Sequence, residues 1–129
     1  MIKIKLMART KILIIEDDKS LVRIIEEALD PKKFEVILAL ESDEGLEKAI
    51  LEQPAVIVLD ILLPGKSGFE CLKKIKERKE TREIPVIILS NLGQDEEIRT
   101  GLEMGAIDYL VKADFTIDEV VKKIIKAIK

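Results

Sequence analysis

The residues that could carry chemistry each close an apolar run. They are Glu16, Asp17 and Asp18 in IIEDD, Asp60 in VLDILLPGKSG, Ser90 and Asn91 in VIILSN, and Lys112 in DYLVK. Carboxylates brought together repel, and one takes up a proton unless a cation intervenes. Oxygen ligands without histidine or thiolate suit magnesium, which keeps several waters and uses only one or two protein carboxylates. Asp60 would then still have a free oxygen able to act as a nucleophile. Lys112 and Ser90 would meet the other oxygens of an incoming phosphoryl group, a transfer that needs little beyond positioning and charge neutralisation.

Composition narrows the alternatives. The chain has 129 residues and 47% hydrophobic content, enough for one domain with a proper core. It contains no histidine, which removes the commonest general base, the usual zinc ligand and any Ser–His or Cys–His dyad. The single cysteine, Cys71, excludes an internal disulfide, and packing on a helix is its expected role. A net charge of −3 without a basic stripe argues against nucleic acid as a partner. No apolar run approaches membrane-spanning length, and MIKIKLMART lacks the continuous apolar segment of a secretory signal, so a cytoplasmic location is expected by default. Residues 1–10 read as an extension or tag, with IKIKL as a stray edge strand or Met7 as an internal start, and 11–129 as the domain.

Five apolar, β-branched runs must position those residues: Lys11–Ile15, Phe34–Leu38, Ala55–Leu59, Pro85–Leu89 and Ile107–Val111. Helical patterns alternate with them. Lys19–Leu29 places Leu21, Ile24, Ile25, Ala28 and Leu29 on one face. Ser42 reads as an N-cap, with Leu46, Ala49 and Ile50 buried behind it. Ser67–Lys79 turns Leu72 and Ile75 inward. Asp95–Met104 is the weakest helix, marked inside only by Ile98 and Leu102 and loosened by Gly101 and Gly105. Thr116–Ile128 is the clearest, with Ile117, Val120, Val121, Ile124, Ile125 and Ile128 at helical spacing. Strict alternation implies a three-layer α/β/α fold with a parallel sheet, and five strands suit the flavodoxin-like order 2-1-3-4-5. That order brings the carboxyl ends of strands 1, 3, 4 and 5 to one sheet edge, where ligands of such folds bind.

Each feature alone has an ordinary explanation. An acidic run can cap a helix, and Asp60 can open a turn. Ser90 and Lys112 alone would be surface residues, and Tyr109 a half-buried strand residue. Their convergence from scattered parts of the chain favours a site. Asp60–Ser67, DILLPGKS, lies one residue from a phosphate-cradling GxxxxGK[ST] loop, but Asp60 occupies the position where that loop needs glycine. A flavin-binding module of the same fold is disfavoured because none of Phe34, Phe69, Tyr109 and Phe115 falls in an obvious stacking loop.

The blocks IIEDD, VLDILLPGKSG, PVIILS and DYLVK, in this order and spacing, resemble the receiver domain of bacterial two-component response regulators, the chemotaxis-regulator fold. The resemblance covers the chain after about Thr10. It implies Asp60 as the phosphoacceptor, Glu16 and Asp17 as the acidic pair holding magnesium, and the Leu62 carbonyl as a further metal ligand. It implies Ser90 as the switch hydroxyl with Asn91 beside it, Tyr109 as the switch aromatic and Lys112 as the phosphoryl-pairing lysine. Asp18 then caps the first helix. The family usually has proline after the lysine, often across a cis bond, where this chain has Ala113. A cis bond there would cost ~2.5–4 kcal/mol, so a trans loop is expected, with the lysine placed differently. Lys66–Ser67 stand where a Met–Asp pair is common.

The implied donor is a histidine kinase or histidine phosphotransfer protein. The implied output surface is formed by the fourth helix, fifth strand and last helix, including Ile98, Arg99, Leu102 and Tyr109, which binds an effector or pairs two copies. Phosphorylation would draw Ser90 toward the new group and let Tyr109 turn inward. Leu62 and Leu92, two residues past Asp60 and Ser90, are apolar where the family tunes water access, so slow autodephosphorylation is expected. The competing reading is an interaction module of the same fold that works without phosphorylation, with Ala113 in its favour.

Overall fold

In the computed structural model, which describes residues 8–128, alternate side chains along each strand go to opposite faces of one sheet. The strands are β1 (Thr10–Ile15), β2 (Phe34–Ala39), β3 (Val56–Leu59), β4 (Val86–Ser90) and β5 (Asp108–Val111). All pair in parallel in the order β2-β1-β3-β4-β5. The helices are α1 (Lys19–Glu27), α2 (Ser42–Glu52), α3 (Gly68–Glu77), α4 (Asp95–Glu103) and α5 (Ile117–Ile128), with a 3-10 turn at Lys112–Asp114. The expected three-layer flavodoxin-like architecture is present.

Two cores result from the alternation. Ile12, Ile14, Val56, Val58, Ile87, Leu89 and Leu110 meet α1 and α5 on one face. Leu13, Ile15, Ile57, Leu59, Ile88 and Tyr109 meet α2, α3 and α4 on the other. The central strands β1 and β3 are apolar toward both faces, as strands covered on both sides must be. Each fully buried Leu or Ile contributes roughly 1.5–3 kcal/mol, so these strands are the rigid element on which the sheet edge is built. Cys71 packs in the core of α3, its thiol directed at the Ser42 carbonyl oxygen at 3.7 Å.

Several expected side-chain positions are corrected. Along α1 and the turn that ends it the deep line is Val22, Ile25 and Leu29, while Ile24 and Ala28 face solvent. The apolar stripe is wider than the contact, and packing selects the residues one step round the helix. Ile125 on α5 is exposed for the same reason. Ser42 is the first residue of α2 and not its cap. It is buried, and the Glu44 carboxylate accepts the Leu40 N–H at 2.8 Å instead. Leu102 points outward from α4, whose one buried residue is Gly101. β1 begins at Thr10, whose N–H donates to the Lys33 carbonyl at 2.8 Å, and β5 begins at Asp108, leaving Ile107 exposed. The IKIKL stretch lies outside the described residues. No helix among the described residues is long and apolar enough to cross a membrane.

Candidate functional site

Because β1 from Ile12 onward and the whole of β3 are buried, the residues that follow them emerge at the core's rim with little water around them. Glu16 is 3% exposed and Asp60 4%. The Asp60 N–H donates to the Ile15 carbonyl at 3.0 Å, which extends the β1–β3 pairing and sets the two carboxylates side by side. One Glu16 oxygen accepts the Asp18 N–H at 2.9 Å. Asp18 in turn accepts the N–H groups of Ser20 and Leu21 at 3.1 and 3.2 Å, capping α1 as its position implies. Asp17 is exposed, yet one of its oxygens lies with one each from Glu16 and Asp60 in a group within 4.8 Å of one another.

Lys112 completes the cluster from the end of β5. Its ammonium is 2.8 Å from Glu16 Oε1 and 2.8 Å from Asp60 Oδ2. The other Asp60 oxygen accepts the Leu62 N–H at 2.9 Å. Burial pushes the Glu16 carboxyl up to about 7. The Lys112 hydrogen bond and the Asp18 N–H oppose the rise, while the neighbouring Asp60 charge adds to it. For Lys112, burial favours the neutral amine, but hydrogen bonds to Asp60 and Glu16 outweigh it and the ammonium is held above its ordinary range. The expectation that Ala113 would displace this lysine is not met. The described residues contain no cis peptide bond, and Lys112 still reaches both carboxylates.

The loop after Asp60 is shaped by glycines. Gly65 adopts φ +78°, a conformation that disfavours any side chain. The Gly68 N–H donates to the Ile61 carbonyl at 3.0 Å, and a Cβ at Gly68 would collide with the Asp60 carbonyl oxygen. Gly68 therefore lets α3 close on the acidic residue, a role that sequence reasoning missed. Its only signal was the short spacing from Asp60 to the helix start. Lys66, the lysine of the GKS look-alike, pairs with Asp43 at 3.1 Å on an exposed flank.

The remaining candidates surround this centre without joining its ion pairs. Ser90 is fully buried, and its hydroxyl accepts the Leu92 N–H at 3.3 Å. Asn91 is exposed, and the Leu62 side chain is half-exposed. Tyr109 is 7% exposed rather than part of an open surface, and its hydroxyl donates to the Leu92 carbonyl at 2.5 Å. Burial raises its phenol above the ordinary value, and the charges of Glu97 and Asp60 add to that. Of the expected output residues, Arg99 and Leu102 are exposed and Ile98 is partly buried.

A profile of the response regulator receiver domain matches residues 12–125. The response regulator ArlR of Staphylococcus saprophyticus is 36% identical over 115 residues, covering 89% of this chain and 50% of ArlR. The receiver domain of the Francisella response regulator 1452 superposes with a TM-score of 0.82 at 30% identity, covering 93% of this chain and 97% of that one. The Mn(2+)-bound form of response regulator Rcp1 superposes with a TM-score of 0.73 at 27% identity, covering 89% of this chain and 88% of that one. The chain spans about half the length, or less, of the curated relatives it matches. With sequence profile, relatives and fold in agreement, the chain belongs to the response regulator receiver domain family of two-component signalling.

Proposed function

We propose that Asp60 accepts a phosphoryl group from a phosphohistidine of a histidine kinase or histidine phosphotransfer protein. The observation that carries this is the single ammonium of Lys112 held 2.8 Å from both Asp60 and Glu16. A cation between two nearly buried carboxylates offsets the repulsion between them and holds Asp60 Oδ2 in a fixed position for attack. In the transfer, an Asp60 oxygen forms a bond to phosphorus as the P–N bond breaks, and the electron pair leaves with the imidazole nitrogen. The chain has no histidine, so the donor is another protein or domain.

The donor set fits a hard divalent cation: three carboxylates with oxygens within 4.8 Å and no nitrogen or sulfur ligand. Glu16, Asp17, Asp60 and the Leu62 carbonyl would hold magnesium, which supplies charge neutralisation for the transferred phosphoryl oxygens. Lys112 would exchange its bond to Asp60 for one to the phosphoryl group, and the Ser90 hydroxyl, with Asn91 beside it, would receive another phosphoryl oxygen. The Leu62 N–H, donating to Asp60 Oδ1 at 2.9 Å, orients the acceptor carboxylate before transfer.

The output would pass through α4, β5 and α5, where Arg99 and Leu102 are exposed, to an effector or a second copy. Under this reading the receiver unit runs from Thr10 onward and acts as a cytoplasmic phosphoacceptor and not as a catalyst on other molecules. Intact mass after incubation with a small acyl-phosphate donor and magnesium tests it. The native chain gains one phosphoryl group, while Asp60→Asn, or native chain with chelator, gains none. A native chain that stays unmodified overturns the proposal in favour of the phosphorylation-independent module.

A further inference from the structure

Gly101 is an anomaly in α4. Glycine inside a helix is disfavoured relative to alanine, and this one is the helix's only buried residue. Its surroundings supply the reason. A Cβ at Gly101 would lie 2.6 Å from Ile88 Cδ1, 2.9 Å from Tyr109 Cδ2 and 3.2 Å from Tyr109 Cε2. Ile88 and Tyr109 are cross-strand partners in the β4–β5 pairing, so the missing methyl is the space above that pair. The Tyr109 hydroxyl then reaches the Leu92 carbonyl, and the Leu92 N–H reaches the Ser90 hydroxyl. Gly93 in the same loop is packed as closely, since a Cβ there would lie 2.9 Å from Val111 Cγ1.

We propose that Gly101 is the positioning residue for Tyr109: the gap it leaves in α4 admits the ring, and the seated ring fixes the loop that follows Ser90. A methyl group at 101 would evict the ring toward solvent, break the bond to Leu92 and free the loop from β5. The seating of the ring by Gly101 stands on geometry alone. Its consequence for signalling rests on the phosphoacceptor reading above.

Tyr109 is the only tyrosine and the chain has no tryptophan, so intrinsic fluorescence reports this one ring. Acrylamide quenching would be compared in the native chain, Gly101→Ala, and Gly101→Ala combined with Ile88→Val. The valine removes Cδ1, so in the double variant Tyr109 Cδ2 is the one remaining atom within 3.0 Å of the new methyl. We expect a several-fold rise in the quenching constant in both variants, with helical circular dichroism retained. Folded variants whose tyrosine stays as protected as in the native chain overturn the proposal. If neither variant folds, adding Tyr109→Ala to the double variant must restore folding, and failure to do so overturns the proposal equally. Phosphoryl incorporation measured by mass on the same samples reports on Asp60 separately, so loss of that reading is distinguishable from loss of this one.

Discussion

The two flanks of the sheet are built differently. On one, α5 buries Val120, Val121 and Ile124, and α1 buries Val22 and Ile25 with Leu29 just beyond its end, against a continuous apolar surface. On the other, α3 buries Cys71, Leu72 and Ile75 as deeply, but α4 buries only a glycine, Leu102 faces solvent, and the ring seated beneath that helix is tied to a loop through one hydroxyl. The carboxylates belong to the rigid part, at the ends of β1 and β3, whereas Ser90, Leu92 and Tyr109 belong to the looser one. A site that must hold charges in place and also report on them gains from this division. Local opening is easiest where apolar burial is thinnest, and a switch needs two arrangements of similar free energy.

The largest expected effect breaks the contrast directly. Ile124→Ala on α5, fully buried, should destabilise by about 2–5 kcal/mol, whereas Leu102→Ala on α4 should stay within roughly 0.5 kcal/mol. Chemical denaturation of both variants checks this, and equal losses would contradict the picture of a firmly packed α5 and a loosely packed α4.

A second effect concerns the rigid side's charge. The Glu16 carboxyl is held at about 7 in the folded chain against an ordinary 4.5. Below 4.5 it is neutral in both states. Between 4.5 and about 7 the unfolded chain loses the proton and the folded chain keeps it, so this group's contribution to stability falls as pH rises and levels off above. Thermal melts of native protein and Glu16→Gln in metal-free buffer should converge with the group neutral and diverge across that window. Parallel profiles would contradict the assignment. Lys112→Met removes the opposing cation and should move the window to higher pH.

The smallest expected effect sharpens the loose side. Leu62 is half-exposed and Leu92 partly buried, and neither can orient an attacking water. Leu62→Asn with Leu92→Glu should shorten the lifetime of the acyl phosphate several-fold, because a positioned general base accelerates hydrolysis. Unchanged decay in a phosphate-release assay would contradict slow autodephosphorylation as a consequence of these two leucines.

Much of this was legible in the sequence. Short β-branched runs ending in acidic or hydroxyl residues are a backbone-level signal, and parallel pairing then leaves few alternatives for where Glu16, Asp60, Ser90 and Lys112 emerge. Side-chain choices were harder to read because they are decided by tertiary contact. Ile24 and Ile125 lie at the rim of stripes wider than the surface they cover. Ser42 has the right chemistry for a cap but is buried, and Glu44 serves the Leu40 N–H. Gly101 reads as helix-weakening until the tyrosine from a distant strand is set beneath it. The bridging of Glu16 by Lys112 depends on a rotamer and a turn that no local pattern encodes.

The most direct measurement locates the modification. After reaction with an acyl-phosphate donor and magnesium, borohydride reduction converts an aspartyl phosphate to homoserine, and peptide mass spectrometry reads its position. The proposed chemistry predicts homoserine at position 60 and nowhere else. Homoserine at another aspartate, or none despite bound magnesium, would contradict it.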